Sequence, residues 1–432
     1  MGVYAAERPI TTTTAEPGAP PLPDVDPFYR PPRALAQYEP GALLRSRPVQ
    51  VALFGLLPLR VTAWQLQFRS SDMHGRPEAA ITTVLLPWQA DPARPLISYQ
   101  CAIDAVAPAC LPSYAFRRGA RAFGAIPQFE LLLVANALAR GWAVSVPDHV
   151  GSDGRFGAPR EPGYRALDGI RAALTFLGRP PGTPVALCGY SGGGLATVWA
   201  AETAAAYAPE LRIVAAAAGS PVGDLEATFF RLNGSRYGGL AALCLAGLRR
   251  GYPDLDSCLR DHLDAASLAL LTRAETSTTV ALVLRDSRSR LDDRDRAALA
   301  VVRTLPAVRA VLADIQPGAH PPAFPMLVVQ AVRDSVISVR SIDRLVARYR
   351  TAGTPVRYLR DLVGGHVSLG ALAAPLLADW VADRLEGRPL PPATTTTQLS
   401  VALSPRALRG YLRLGGVLLR ILTGRPIRAP QG

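Results

Sequence analysis

The 432-residue chain predicts an α/β fold, a mostly parallel sheet flanked by helices with a helical insertion late in the chain. Three observations predict it. Strand-like and helix-like segments alternate from about residue 61 to residue 217. The alternation stops between about 220 and 320, then resumes to residue 384. Strands alternating with helices imply right-handed crossovers and a parallel sheet. A composition of 49% hydrophobic residues demands a large buried core and excludes disorder throughout.

Taken in order, residues 1–26 form a Pro/Thr-rich, flexible leader. The core is expected over 27–218 and 321–388. Val61 to Phe68 alternates apolar and polar residues, and Ala80 to Leu86 is a β-branched run, so both read as strands. Pro95–Gln100 is a buried-type strand, Phe129–Arg140 a helix and Trp142–Val146 a strand. Tyr164–Leu177 is a helix, Pro184–Cys188 a strand, Gly193–Tyr207 a helix and Leu211–Ala217 a strand. The insertion covers 219–320 and is helical, with Leu- and Gly-rich pieces such as residues 238–248. Strand Pro325–Val332, helix Ser341–Tyr349, strand Pro355–Leu359 and helix Ser368–Arg384 complete the sheet. A Thr/Pro linker at 389–397 leads to a last helix, Ser404–Leu422. On it Arg406, Arg409, Arg413 and Arg420 fall within an arc of roughly 60°. Leu408, Leu412, Leu418, Leu419 and Leu422 occupy the other side. Residues 389–432 are thus a linker plus a basic amphipathic helix, which either binds a lipid interface or packs on the body.

The net charge is +13, and all 47 basic residues are Arg. So complete a bias reflects base composition of the coding sequence and is no sign of phosphate binding. No basic, aromatic-interleaved patch is visible, which excludes a nucleic-acid partner. Six of the arginines and no acid lie in 389–432. No apolar run reaches 18 residues, so no spanning helix is expected. The first 30 residues lack a basic segment followed by an apolar stretch, which predicts no signal peptide there. Cys101, Cys110, Cys188, Cys244 and Cys258 show no metal-ligand spacing.

The chemistry centres on Gly189-Tyr190-Ser191-Gly192-Gly193, directly after an apolar strand and before a helix. A nucleophile elbow needs this arrangement. The Ser backbone is strained in the tight turn, small neighbours avoid clashes, and helix N–H groups face a developing oxyanion. Ser is a weak nucleophile without a base, normally His, oriented by a carboxylate. His366, after the last core strand and before the terminal helix, occupies the position of that base. His149 lies after a strand and could line the site, but precedes Ser191 in the chain. His74, His262 and His320 read as turn, solvated-helix and loop residues. Asp334 ends a strand and precedes a helix, as the acid should; Asp286 is the rival but lies inside the insertion. Gly192 supplies one oxyanion N–H, and the segment Ser98–Asp104 is the candidate for the second. Acyl transfer by this set needs no metal and no organic cofactor.

These motifs together resemble the secretory lipases of the Candida antarctica lipase A type. The likeness runs through residues 26–32, 98–114, 146–151, 167–174, 189–202, 207–214 and 364–366. It implies an α/β-hydrolase core with a helical lid, and hydrolysis of triacylglycerols and other long-chain esters. It further implies nucleophile Ser191, acid Asp334, base His366, and an oxyanion hole from the N–H groups of Asp104 and Gly192. Secretion or cell-envelope association follows from the same likeness, with the cytoplasm left open by the missing signal peptide. Cys110 stands where the family often has half of a disulfide whose usual partner is replaced within 274–280; pairing with Cys258 and a free thiol both stay open. Val150 stands where the family often has an acid.

The expected function is a serine lipase acting through an acyl-enzyme. A lipid acyltransferase or short-chain carboxylesterase would use the same triad, and a non-catalytic lipid-binding protein would need none of it. The expected partners are a lipid ester and, through residues 404–422, an anionic membrane.

Overall fold

The computed structural model describes residues 18–89, 94–288, 291 and 301–429. Most of the proposed leader, 1–17, lies outside them. Residues 18–26 are placed, and Asp26 is buried: its carboxylate accepts from the Phe28 N–H at 3.0 Å and pairs with Arg47 at 2.7 Å. The ordered body therefore starts before residue 27.

Strands β1 (Leu43–Pro48), β4 (Thr62–Ser71) and β5 (Pro77–Leu86) form an antiparallel meander, and β2 (Ala52–Leu53) and β3 (Leu57–Pro58) make a separate small hairpin. The parallel strands are β6 (Leu96–Gln100), β7 (Ala143–Pro147), β8 (Val185–Tyr190), β9 (Ile213–Gly219), β10 (Met326–Ala331), β11 (Val356–Asp361) and β12 (Thr395–Gln398). Their spatial order is β1-β4-β5-β7-β6-β8-β9-β10-β11-β12. The chain leaves β6 toward one sheet edge and builds from β8 toward the other. Such a switch point opens a crevice at the carboxyl ends of the strands.

Helices α1 (Pro112–Ala115), α2 (Pro127–Ala139), α3 (Glu161–Phe176) and α4 (Gly192–Tyr207) connect the first half. The insertion after β9 includes α5 (Leu225–Leu232), α6 (Gly238–Gly251), α7 (Pro253–His262), α8 (Ala265–Ala274), α9 (Thr279–Arg285) and α10 (Pro306–Asp314). Side-chain caps start two of them, Asp224 on the Ala227 N–H and Asp264 on the Ser267 N–H. Then come α11 (Val339–Thr351), α12 (His366–Leu385) and α13 (Pro405–Leu422), the last capped by Ser404.

Side chains of the parallel strands alternate between two cores. On β8, Ala186, Cys188 and Tyr190 face one core with residues of α2, α12 and α13; Val185 and Leu187 face the other with residues of α3, α4 and α11. The insertion has a third core of its own, built largely from Leu243, Leu255, Leu259, Leu271 and Leu282.

Two sequence expectations change here. The Thr/Pro linker is partly a strand, because Thr395–Gln398 pairs in parallel with β11. A run of β-branched Thr suits a sheet edge with open hydrogen-bonding groups. The last helix packs mainly through Ala407, Gly410, Val417 and Ile421, between its sequence-assigned sides, with Leu418 alone of the leucines packed against the core.

Candidate functional site

The turn after β8 places Ser191 at φ 55° and ψ −120°, a region that L residues rarely occupy. The glycines around it make this turn sterically feasible. A Cβ on Gly189 would lie 2.3 Å from the Gly193 carbonyl oxygen, and one on Gly193 2.0 Å from that of Gln100. The Ser191 N–H donates to the Gly219 carbonyl at 2.9 Å, tying the turn to β9.

Ser191 Oγ lies 2.8 Å from His366 Nε2, and His366 Nδ1 lies 2.8 Å from Asp334 Oδ2. The three residues follow the carboxyl ends of β8, β10 and β11, with β9 between the first two. Burial pushes the Asp334 carboxyl up. The hydrogen bond from His366, its charge, and the Ile337 and Val336 N–H groups outweigh that and hold it below the ordinary aspartate value. An ionised Asp334 only accepts, so Nδ1 of His366 carries hydrogen, and Nε2 is the ring atom that faces the serine hydroxyl and can take its proton.

Three further groups hold this constellation. Gln330 Nε2 donates to Asp334 Oδ2 at 3.0 Å. Arg231 of α5 donates to the Asp334 carbonyl at 2.6 Å, linking the insertion to the site. The Tyr190 hydroxyl donates to the His366 carbonyl at 2.5 Å. Tyr190 is thus more than a spacer in the elbow. The sequence places Tyr190 in the elbow but not on His366, and it assigns Gln330 no role, although a polar residue within the apolar run of β10 is a readable signal.

The segment after β6 reaches the same place. Gln100 pairs with Gly189 across β6 and β8, which carries Asp104 beside the elbow. Asp104 is buried at φ 41°, and its Oδ1 sits where a Cβ of Gly192 would be, 1.7 Å away. Its backbone carbonyl accepts from Thr279 Oγ1 at 3.0 Å. The Ala102 N–H donates to Glu130 at 2.7 Å, and His149 Nε2 lies 2.7 Å from the Cys101 carbonyl. Burial lowers the His149 ring to about 4, so it stays neutral and donates from Nε2. His149 props the Cys101–Asp104 segment and is not bonded to the serine.

The remaining candidates lie elsewhere. Asp286 pairs with Arg273 inside the insertion at 3.1 Å. His74 contacts the Gly251 carbonyl, His262 is exposed on α7, and the His320 N–H donates to Glu202. All five cysteines are free thiols. Cys110 is therefore not bonded to Cys258. It faces the backbone N–H of Thr279, within the segment where the usual partner is replaced.

A strained serine on a strand-to-helix turn, with a histidine and an acid after later strands of a mostly parallel sheet, defines an α/β-hydrolase. The secretory lipase family model matches residues 116–392. The chain is 46% identical to a probable inactive lipase, MT1628, of Mycobacterium tuberculosis, over 94% of this chain and 92% of that protein. It is 34% identical to lipase A of Arthroderma benhamiae, over 95% and 90% of the two chains. The X-ray structure of Candida antarctica lipase A superposes with a TM-score of 0.83 at 25% identity, covering 96% of this chain and all of that one. The chain belongs to the secretory lipase family.

Proposed function

We propose that this chain is a serine lipase that hydrolyses carboxylic esters of triacylglycerols and related long-chain lipids. The reading rests on one observation, the unbroken hydrogen-bonded series Ser191–His366–Asp334 at 2.8 Å per step. Ser191 Oγ attacks the ester carbonyl carbon as its proton passes to His366 Nε2. Asp334 fixes the ring tautomer and stabilises the imidazolium. The N–H groups of Gly192, at the start of α4, and of Asp104 bind the oxyanion. His366 then protonates the leaving alcohol, and a water molecule repeats the sequence to release the acid.

An apolar cleft in the insertion supports the long-chain preference. It is lined by Leu225, Phe229, Leu245, Leu248, Val308 and Val311, among others. Cys244 also lines it and abuts Gly157, whose neighbour Phe156 has its ring edge 3.3 Å from where a Cβ of Gly192 would lie, so the cleft lies on the Gly192 side of the site. The helices α5–α10 then act as a lid over the acyl chain. The family's secretory character supports export of this chain, as does its 31% identity to a secreted triacylglycerol lipase of Malassezia restricta.

The name of the Mycobacterium tuberculosis relative favours a second reading, a lipase-fold protein without turnover. An ester series from acetyl to stearoyl, run on wild type and Ser191→Ala, separates the two. Hydrolysis rising with chain length and falling at least about 10³-fold in Ser191→Ala is expected. A short-chain optimum would make the protein an esterase, product on an added alcohol an acyltransferase, and equal rates in the two proteins would remove the triad reading.

A further inference from the structure

We propose that the outward face of α13 docks peripherally on an anionic phospholipid surface. The helix has three faces rather than two. Ala407, Gly410, Val417 and Ile421 are buried against the body. Gly410 permits the close approach, since a Cβ there would lie 2.4 Å from the Pro375 Cβ of α12. Tyr411 adds a hydrogen bond to the Leu372 carbonyl at 2.7 Å. Leu418 is half-buried and joins this packing, whereas the other leucines take no part in it.

Those leucines point outward. Leu408, Leu412, Leu419 and Leu422 are 55%, 78%, 62% and 58% exposed, and they cover an arc of about 80° on the helical wheel. A soluble helix that only packed on the body would carry polar residues there. Leu403, just before the helix, is 64% exposed and extends the ridge.

Charge selects the occupant. Beside the leucines run Arg409, Arg413, Arg420 and Arg406, all exposed. Arg406 reaches Asp383 at 2.9 Å and Arg413 stands 3.7 Å from Asp379, whereas Arg409 and Arg420 reach only carbonyls of their own segment. Arg425 and Arg428 follow, and no acid occurs from 389 to 432. An apolar ridge flanked by arginines matches the boundary between acyl chains and anionic headgroups, with leucines inserted and guanidiniums on phosphates. No helix among the described residues is long and apolar enough to cross a membrane, so the contact is peripheral.

The proposal needs no catalytic activity and is read by binding alone. The full chain is co-sedimented with phosphatidylcholine vesicles, with and without phosphatidylglycerol. Binding is expected only to the anionic vesicles, and is expected to fall with salt. Leu412→Glu with Leu419→Glu, and separately Arg409→Glu with Arg420→Glu, should each weaken it about tenfold or more. Turnover of a soluble short-chain ester and the melting temperature should stay at wild-type values, because these side chains are exposed. Wild-type protein that ignores anionic vesicles would overturn the proposal, as would leucine variants that bind like wild type. Self-association abolished by the leucine changes, without vesicle binding, would assign the ridge to a protein interface instead.

Discussion

At the scale of single residues, the site depends on buried charges held by full sets of partners. Arg165 has no solvent exposure, and its guanidinium bonds Glu161, Glu78 and the His149 carbonyl. Glu161 is equally buried and also binds Arg155 and the Met73 N–H. Arg165→Leu would strand these carboxylates and loosen the His149 loop that supports Asp104. A loss of about 3–5 kcal/mol is expected in denaturant unfolding, the usual cost of breaking a buried pair from one side. A change under about 1 kcal/mol would mean that water replaces the guanidinium freely. Part of this was legible from sequence. The Gly-x-Ser-x-Gly spacing, His366 and Asp334 follow from local chemistry and chain order. Arg165 and Glu130 do not, because a polar residue on a helix looks alike in sequence whether buried with partners or solvated.

At the scale of elements, α13 shows how packing and propensity diverge. Gly415 and Gly416 have open space where a Cβ would go, whereas Gly410 abuts Pro375. Gly416→Ala should stabilise the protein by about 0.5–1 kcal/mol through helix propensity alone. Gly410→Ala should destabilise it, because the backbone of α13 must retreat from α12. Thermal unfolding of the two variants checks the pair; shifts of the same sign would contradict this docking. Periodicity located α13 and nearly every core element within a few residues. It failed at β12, where a threonine run flanked by prolines looks like a linker. That strand exists because β11 offers an unpaired edge, a property of the assembled sheet rather than of the segment. The order β5-β7-β6-β8 was equally invisible, since strand neighbours far apart in sequence leave no local trace.

At the scale of the whole molecule, buried acids set the pH dependence of stability. Burial pushes Asp104 up to about 6, Asp148 to about 7 and Glu130 to about 8. The folded state therefore holds protons that the unfolded chain releases near 4. Their stabilisation is complete below that value and is lost as pH rises toward 8. His149, lowered to about 4, works in the opposite sense between 4 and its ordinary value of about 6.5. Asp334, Asp26 and Asp314, held low, lose their contribution only below about 4. The urea midpoint should accordingly be higher at about pH 5.5 than at about pH 8.5. Glu130→Gln, which keeps an amide donor and acceptor at that position, should flatten the decline. A midpoint that rises with pH across this range would show that these carboxyls ionise without penalty.

The measurement closest to the central claim is covalent labelling with a fluorophosphonate, followed by intact mass and peptide mapping. One adduct per chain on Ser191 is the expected result, absent in Ser191→Ala and slowed by at least about 10³-fold in His366→Ala. A chain that takes up no reagent, or one labelled at the same rate with and without the imidazole, would contradict the account.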